Sequence, residues 1–349
     1  MRALRLHGSR DLRLDDIPEP QVRSGTVKLK VEWNGICGTD LHHYQQPMVP
    51  DDFRHPLLGD LGPHVQGHEF SGRVVQTGPG VTGLPEGTLV AVEPLVYDGT
   101  CPACRRGDNN LCDSLGFIGL MGGGGGLSEY AVVPADRAHP IPDGISAETA
   151  ALVEPLSVAW HAVRRSGLGD GGTALIVGAG PIGLGLLLAA KAHGAAFVAV
   201  SEVNTARRGL AALSGADLVL DPAQDDVVAQ VRRHVPAGVE VSFEASGAGT
   251  PAVSALLGAL AKAGRAVAVS QGRPVELDPD ILMLTEINYT GSFAYNGLDF
   301  PAVIQAIADQ RLRPDALISD RIALDDAPRL GYEALLEHGS EHVKILVHP

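Results

Sequence analysis

The chain has 349 residues, of which 45% are apolar and 19% are charged, so its composition is that of a globular protein long enough for two domains. Its formal net charge is −14, and an acidic surface repels both nucleic-acid phosphates and anionic lipid. Nucleic acid and membrane are therefore not expected as partners. Aromatic residues make up only 4% of the chain, which indicates an aliphatic core.

The N-terminus is charged throughout and lacks the apolar stretch of a signal peptide, which favours a cytoplasmic protein. One uncharged segment, residues 173–190, approaches the ~20 residues of a membrane span. Five glycine and proline residues interrupt this segment, so a strand, a glycine-containing turn and a helix explain it better. A membrane span is therefore disfavoured.

The chain up to about residue 155 contains short β-like runs separated by glycine and proline, without a long helical period. This pattern predicts a β-rich, partly barrelled domain. A run of five glycines, Gly122–Gly126, is expected to form a flexible surface turn. The predicted strands are residues 26–33, 69–77, 88–92 and 128–133.

From residue 147 the pattern changes to a helix at 147–166 and then to alternating strand-like and helix-like runs. Such alternation predicts βαβ units, in which helices cover a parallel sheet. The predicted pairs are 174–177 with 181–193, 197–201 with 205–214, 218–220 with 225–234, and 239–243 with 250–263. A strand at 266–269 follows, then a strand at 289–295, helices at 300–309 and 327–338, and a closing strand at 343–347.

A glycine-rich motif, Gly178 to Gly183, follows an apolar strand and opens an apolar helix. In such a motif Gly178 permits the tight turn, Gly180 lets a pyrophosphate approach the backbone, and Gly183 lets the helix pack closely on the strand. Pro181 and Ile182 begin the helix, whose N-terminal N–H groups favour phosphate. The alternative, an ordinary βα turn, leaves the rest of this pattern unexplained.

An acid, Glu202, lies nineteen positions after Gly183 at the end of the next predicted strand. A carboxylate there can accept hydrogen bonds from both ribose hydroxyls, and it would repel a 2′-phosphate. Arg207 and Arg208 follow within a turn and could offer a phosphate site, or could form a solvated helix face. The pattern favours NAD over NADP.

Three of the four cysteines lie within twelve residues, which favours a metal over disulfides in a chain without an export signal. Together with Asp98, the thiols of Cys101, Cys104 and Cys112 could close a tetrahedral zinc site. This predicts a structural zinc in a protruding loop. Free thiols are the alternative, and water could replace Asp98.

A second set consists of Cys37, His68 and Glu154, the last in an otherwise apolar stretch. Burying an unpaired carboxylate costs several kcal/mol, so a metal or a basic partner is expected for Glu154. These three residues could hold a catalytic zinc with an open fourth position. A lone cysteine is usually a buried apolar residue, however, and the spacing alone leaves this site undecided.

Together these motifs resemble the zinc-containing medium-chain dehydrogenase family over essentially the whole chain. The resemblance rests on GxCGTDLHHY (35–44), GHEFSGRVV (67–75), the cysteine loop, ALVEPL (151–156) and VGAGPIG (177–183). Within the family, LGFIGLMGGGGGLSEYAVVPAD (115–136) looks most like the 2,3-butanediol dehydrogenase branch, close to sorbitol dehydrogenases.

The resemblance implies roles for individual residues. Cys37, His68 and Glu154 match the catalytic zinc ligands, and Glu69 matches a residue that binds this metal directly or through water. The remaining matches are Asp40 as the acid that orients His68, Thr39 and His42 as a proton relay through the nicotinamide ribose, and Asp98, Cys101, Cys104 and Cys112 as structural zinc ligands. Asp98 departs from the commoner pattern, which has cysteine in that position.

The resemblance also implies the architecture and the reaction. A GroES-like catalytic domain is expected at 1–155 and 295–349, with its zinc loop at about 95–115, and a Rossmann domain at 156–294, in a homodimer or homotetramer. The expected reaction is zinc-dependent hydride transfer between NAD(H) and a secondary alcohol or vicinal diol of the 2,3-butanediol, acetoin or diacetyl type. A sorbitol-like polyol, a threonine-like amino alcohol and a non-catalytic NAD-binding protein are the alternatives, and loops such as residues 44–63 would set the substrate.

Overall fold

The computed structural model describes residues 1–49, 53–59, 64–338 and 342–349. The chain separates into two units, each built from discontinuous segments. Unit 1 comprises Met1–Glu154, Asn296–Ala308 and Ile318–Pro349, and unit 2 comprises Pro155–Tyr295 and Asp309–Leu317.

The N-terminal part of unit 1 consists mainly of short strands. They are β1 (Arg2–Gly8), β2 (Asp11–Asp16), β3 (Thr26–Gly35), β4 (Glu69–Thr77), β5 (Leu89–Val92), β6 (Leu95–Val96), β7 (Gly116–Phe117), β8 (Tyr130–Pro134) and β9 (Ala138–Pro140). The helices of this part are α1 (Gly38–Gln45), α2 (Pro102–Arg105) and α3 (Ala147–Ala151).

Strands and helices then alternate through unit 2. The elements are α4 (Val153–Ser166), β10 (Thr173–Val177), α5 (Pro181–Ala192), β11 (Phe197–Ser201), α6 (Thr205–Leu213), β12 (Leu218–Leu220), α7 (Val227–His234), β13 (Val239–Glu244), α8 (Thr250–Ala259), β14 (Leu260–Ala268), α9 (Pro279–Thr285) and β15 (Asn288–Gly291). The chain ends with α10 (Asp299–Ala308), β16 (Ile318–Ala323), a π-helical segment (Ala327–Glu333), α11 (Ala334–His338) and β17 (Lys344–His348).

The main sheet of unit 1 has the order β16-β17-β3-β4-β5-β9, with β8 also paired to β3. Strands β3 and β4 run antiparallel and place Gly35 opposite Glu69. The last strand, β17, pairs with the same end of β3, with Leu346 opposite Gly35. Both ends of the chain therefore contribute to the part of this sheet that surrounds Glu69.

The sheet of unit 2 has the order β12-β11-β10-β13-β14-β15, and each neighbouring pair is parallel. The order reverses between β10 and β13, as in a doubly wound dinucleotide-binding fold. The prediction of a parallel sheet built from βαβ units is confirmed. The uncharged residues 173–190 form β10 and most of α5, and none of the helices in the described part of the chain is long and apolar enough to cross a membrane.

Several predicted element boundaries are wrong. Helix 147–166 is interrupted at Leu152, and the helix predicted to reach residue 263 ends at Ala259, where β14 begins at once. The Ala- and Leu-rich sequence around this junction has no period that separates helix from buried strand. The strand predicted at 289–295 is shorter, and the β1–β2 hairpin was not predicted although both strands alternate apolar and charged residues.

The glycine run is not a flexible surface turn, because Gly123–Gly126 are buried. A Cβ on Gly125 would overlap the carbonyl oxygens of Val65 and Gln66, and one on Gly126 would overlap the side chains of Asn34 and Phe70. The Gly126 N–H also donates to the carbonyl of Gly67, 2.8 Å away. The glycines therefore let this segment lie directly against the backbone that leads into His68.

Replacing Gly125 with Ala should therefore destabilise the protein, by about 1–3 kcal/mol, the usual range for overpacking a buried site. Gly124→Ala is the matched control, since its Cβ would meet its nearest atoms at an ordinary 3.8 Å. Urea unfolding of both variants measures the difference. Equal stability of the two variants would contradict this packing.

Candidate metal and dinucleotide sites

One buried carboxylate, that of Asp40, positions two of the predicted metal ligands. Helix α1 begins directly after Cys37, and Asp40 Oδ2 accepts a hydrogen bond from the Cys37 N–H at 2.9 Å. This bond fixes the first turn of the helix. Asp40 Oδ1 lies 3.2 Å from Nδ1 of His68, so the second nitrogen of the ring remains for a metal.

Glu69 joins this pair because of the β3–β4 pairing. A Cβ on Gly35, the residue opposite it, would overlap Glu69 Oε2, so glycine at this position makes room for the carboxylate. One ligand atom from each of Cys37, His68 and Glu69 lies within 4.8 Å of the other two. A thiolate, an imidazole and a carboxylate gathered in this way fit a zinc ion.

Glu154 does not belong to this group of three. It lies near the start of α4, and its side chain is buried. Its negative charge contributes to the raised pKa of Lys344, which also contacts Glu69. The structure thus brings Glu69 together with Cys37 and His68, while the assignment of Glu154 as third ligand stays a prediction.

Lys344 is a component of this site that the sequence analysis missed. Its Nζ donates to both oxygens of Glu69, at 2.8 and 2.6 Å, and to the carbonyl of Ile36 at 3.1 Å. The two side chains are only 3% and 1% exposed. A lysine inside the apolar closing strand β17 was the available signal, because a buried cation requires an anion.

The surrounding anions control the charge of both basic groups. Burial alone would lower the pKa of Lys344, but Glu69, Cys37 and Glu154 raise it above its usual value. Burial likewise opposes protonation of His68, yet the charges of Asp40 and Cys37 hold the pKa of its ring well above the usual value. The donor set therefore attracts cations, as a metal site must.

The predicted relay residues lie on the exposed side of α1. Thr39 Oγ1 is 3.7 Å from Cys37 Sγ, and its side chain is exposed. His42, also exposed, follows three positions later in the same helix, where two side chains share a face. The arrangement lets a proton pass from the neighbourhood of Cys37 towards solvent, and the relay itself stays a prediction.

The second metal cluster gathers in the loop between β6 and β7. One ligand atom from each of Asp98, Cys101, Cys104 and Cys112 lies within 4.8 Å of the other three. Asp98 Oδ1 accepts hydrogen bonds from the N–H groups of Thr100 and Cys101, at 2.6 and 3.0 Å. These bonds shape the turn, and a carboxylate with a second oxygen can still bind a metal.

The pKa values of two thiols in this cluster, Cys101 and Cys104, are shifted in opposite directions. Backbone N–H groups of Cys104 and Asp113 lower the pKa of Cys101, whereas burial and the neighbouring thiols Cys101 and Cys112 raise the pKa of Cys104 to about 12. Three thiolates cannot share so small a space without a cation. A tetrahedral zinc closed by three thiolates and a carboxylate fits this cluster.

The glycine turn of unit 2 has the geometry that a pyrophosphate requires. Gly178 has a φ of +100°, and a Cβ on it would meet the backbone of Ala245 at 2.9 Å. A Cβ on Gly180 would meet no protein atom within 4 Å, whereas one on Gly183 would overlap the Gly178 carbonyl. The space above Gly180 is thus open to a ligand, and Gly183 packs the start of α5, after Pro181 and Ile182, against β10.

The acid and the arginines beyond this turn have distinct environments. Glu202 is buried, and its carboxylate accepts hydrogen bonds from the N–H groups of Ala179 and Asn204, at 2.6 and 2.8 Å. The Arg208 guanidinium pairs with Asp221 at 3.1 Å and donates to the carbonyls of Glu202 and Val203. Arg208 is thereby held within the fold, which disfavours a 2′-phosphate site. Arg207 is partly buried in the first turn of α6, and its contact with a coenzyme stays a prediction.

Lys344→Met should strongly destabilise the metal-free protein, by about 3–5 kcal/mol, because it leaves the Glu69 carboxylate buried without its cation. The double variant with Glu69→Gln should lose less than the sum of the two single losses. Urea unfolding gives all three values. The exposed pair Arg13–Asp11 supplies a control, since Arg13→Met should cost only about 0–1 kcal/mol. Additive losses at Lys344 and Glu69 would show that the buried pair is not coupled.

Asp98→Ala should remove the zinc of the cysteine loop and lower the thermal midpoint, while the metal at Cys37 and His68 remains. Asp98→Asn retains an oxygen for the N–H groups of Thr100 and Cys101, so it separates loss of the turn from loss of the charge. Metal analysis of each purified variant, together with thermal unfolding, makes the comparison. Unchanged zinc content in both variants would exclude Asp98 as a ligand.

Two family models match the chain. Residues 23–143 match the alcohol dehydrogenase GroES-like domain, and residues 181–309 match the zinc-binding dehydrogenase domain. The chain is 39% identical to the (R,R)-butanediol dehydrogenase of Bacillus subtilis, over all of both chains. It is also 32% identical to a Bacillus subtilis sorbitol dehydrogenase, over all of this chain and 97% of the relative.

Solved structures agree with these relatives. The crystal structure of 2R,3R-butanediol dehydrogenase from Bacillus subtilis has a TM-score of 0.92 at 38% identity and covers 100% of this chain and 99% of that one. An alcohol dehydrogenase from Escherichia coli CFT073, crystallised with NADH, has a TM-score of 0.89 at 26% identity with the same coverage. The expected fold, a Rossmann sheet with a GroES-like domain, is confirmed. The chain belongs to the zinc-containing medium-chain alcohol dehydrogenase family.

Proposed function

We propose that this chain oxidises a secondary alcohol or vicinal diol to the ketone, and reduces the ketone in the reverse direction, with 2,3-butanediol, acetoin and diacetyl as the substrate class. The observation that carries the proposal is the convergence of ligand atoms from Cys37, His68 and Glu69 within 4.8 Å. The full-length identity of 39% to a butanediol dehydrogenase supports the choice of substrate class.

The coenzyme is NAD(H). Glu202 is held by two backbone N–H groups at the end of β11, where its charge disfavours a 2′-phosphate, and Arg208 is already paired with Asp221. Gly178, Gly180 and Gly183 shape the pyrophosphate turn at the start of α5. Oxidation of the alcohol transfers a hydride to NAD⁺ and releases one proton.

When bound, zinc supplies a Lewis acid that lowers the pKa of the alcohol hydroxyl, and NAD⁺ supplies the hydride acceptor. Cys37, His68 and Glu154 would hold the metal, and Glu69 could bind it directly or through water. Asp40 fixes the ring of His68 by its contact with Nδ1. Thr39 Oγ1 would accept the hydroxyl proton as it gives up its own, and His42 would release a proton to solvent. Asp98, Cys101, Cys104 and Cys112 would hold a structural zinc.

The organisation of the chain is also part of the proposal. Unit 1 corresponds to the GroES-like catalytic domain and unit 2 to the Rossmann domain. A homodimer or homotetramer is expected, and the exposed edge strand β15 with the exposed side chains of Met283 and Leu284 on α9 supports a second copy as partner. A cytoplasmic location is proposed as well, and the gathered thiols of Cys101, Cys104 and Cys112 fit a reducing compartment.

Two alternatives differ in what they predict. A sorbitol-like polyol or a threonine-like amino alcohol would use the same metal and coenzyme, and the similarity to a sorbitol dehydrogenase keeps a polyol in consideration. The segment expected to set this choice, residues 44–63, includes residues 50–52 and 60–63, which lie outside the described part of the chain. A non-catalytic NAD-binding protein would not need Cys37 and His68.

The deciding experiment assays the purified protein with stereoisomers of 2,3-butanediol, acetoin, diacetyl, sorbitol and threonine, following the absorbance of NADH or NADPH. We expect turnover with a butanediol isomer and acetoin, and a preference for NAD(H). Sorbitol or threonine as the best substrate would replace the proposed substrate class.

Cys37→Ala provides the matched test of the metal. It should abolish turnover while the Kd for NADH stays within about twofold, because the residues that shape the dinucleotide turn belong to unit 2. NADH fluorescence measures the Kd and metal analysis records the zinc content. Full activity of a metal-free Cys37→Ala protein would disprove the mechanism, and NADH binding without turnover of any substrate by the unmodified protein would favour a non-catalytic role.

A further inference from the structure

A second buried acid, Glu244, ends strand β13 at the carboxyl edge of the parallel sheet. In the sheet register it stands beside Val177, the last residue before the glycine turn, and beside Ala268, the last residue of β14. It contributes to neither metal cluster and does not lie in the glycine turn. A carboxylate buried at this edge needs hydrogen-bond donors to offset its desolvation.

The Glu244 carboxylate binds two separate loops. Oε1 accepts hydrogen bonds from the N–H and Oγ of Ser246, at 2.9 and 2.6 Å, and from the N–H of Gly247 at 2.9 Å. Oε2 accepts one from Ser270 Oγ at 2.6 Å. The first three donors follow β13 and the fourth follows β14, so one side chain clamps both loops.

The clamped loops pack closely on each other and on the glycine turn. Gly247 has a φ of +64°, and a Cβ on Gly272 would overlap Gly247. The Arg273 N–H donates to the Gly247 carbonyl at 3.1 Å. At the other end, Ala245 donates to the carbonyl of Val177 at 2.8 Å and leaves no room for a side chain on Gly178. The two loops therefore form one packed surface that begins beside the turn, at Ala245.

The topology indicates which half of a dinucleotide these loops face. Ligands of doubly wound sheets lie outside the carboxyl ends of the strands, where the strand order reverses, which here is between β10 and β13. Glu202 stands on the β11 side of that point and marks the adenosine ribose. The opposite half of the coenzyme, which carries the nicotinamide, then lies on the β13 and β14 side.

We propose that Glu244 is a positioning residue, which clamps the loops after β13 and β14 so that they support the nicotinamide half of the coenzyme. The inference rests on the proposed function, because it requires the dinucleotide to bind at the glycine turn. All four donors to the carboxylate are neutral groups, and hydrogen bonds from such groups to a carboxylate are stronger than those to a neutral acceptor. Burial raises the pKa of Tyr289, and the neighbouring Glu244 carboxylate raises it further.

The test compares two ligands that share the adenosine half. ADP-ribose lacks the nicotinamide, whereas NAD⁺ carries it, so loss of the clamp should weaken NAD⁺ and spare ADP-ribose. For Glu244→Ala we expect the Kd for NAD⁺ to rise about tenfold or more, the effect of losing charge-assisted hydrogen bonds. The Kd for ADP-ribose should stay within about twofold. Calorimetry on the full-length zinc-loaded protein gives both constants.

Two milder variants guard against misfolding. Ser270→Ala removes the donor to Oε2 and keeps the charge, and it should show a smaller loss in the same direction. Ser242→Ala is its matched control, because Ser242 is buried on the same strand as Glu244 and its Oγ has no hydrogen-bond partner among the described residues. Glu244→Gln can still accept from Ser246 and Gly247 and donate to Ser270, so it should recover most of the NAD⁺ affinity.

An equal loss of ADP-ribose and NAD⁺ affinity in Glu244→Ala, or identical NAD⁺ binding by Ser270→Ala and Ser242→Ala, would overturn the inference. An unmodified protein that binds neither ligand would overturn it together with the proposed coenzyme. An unmodified protein that binds NAD⁺ but oxidises no alcohol would overturn the proposed function alone, and the comparison of the two ligands would still decide the role of Glu244.

Discussion

The contact between Asp40 and His68 organises the candidate metal site of Cys37, His68 and Glu69. Cys37 and His68 lie far apart in the sequence, so no local preference brings them together, and the β3–β4 pairing brings them only near each other. Asp40 then fixes both, through a 2.9 Å bond to the Cys37 N–H and a 3.2 Å contact with His68 Nδ1. Because Nδ1 of His68 faces Asp40, the other ring nitrogen is the one left for a metal.

Charge balance explains how the fold accommodates the buried carboxylates of this site. The side chains of Asp40, Glu69 and Glu154 are all buried. The cost of removing their carboxylates from water has to be offset by nearby cations. Lys344 supplies one cation permanently, and the raised pKa of His68 supplies a proton that a metal can replace. Lys344 also donates to both oxygens of Glu69, so a metal bound at this carboxylate would share it with the lysine.

The sequence predicted those features that depend on neighbouring residues. The turn from Gly178 to Gly183, Glu202 and the cysteine loop are local patterns, and the residues of each lie close together in the structure. The misplaced or missed features depend on distant partners. Gly122–Gly126 was expected at the surface because nothing in the sequence reveals that Val65 and Gln66 pack on it. Lys344 was missed because its partner Glu69 lies 275 positions away, at a strand pairing that periodicity does not specify.

The two acids at the edge of the parallel sheet show the same distinction within unit 2. Glu202 bonds backbone groups of its own turn and of the glycine motif, which is why spacing alone identifies it. Glu244 also bonds its own turn, but it reaches Ser270, 26 positions later in the chain, and only the register of β13 with β14 brings them together. Under the proposals above, Glu202 contacts the adenosine ribose of the coenzyme directly. Glu244 acts through the loops it binds, which form the surface that supports the nicotinamide half.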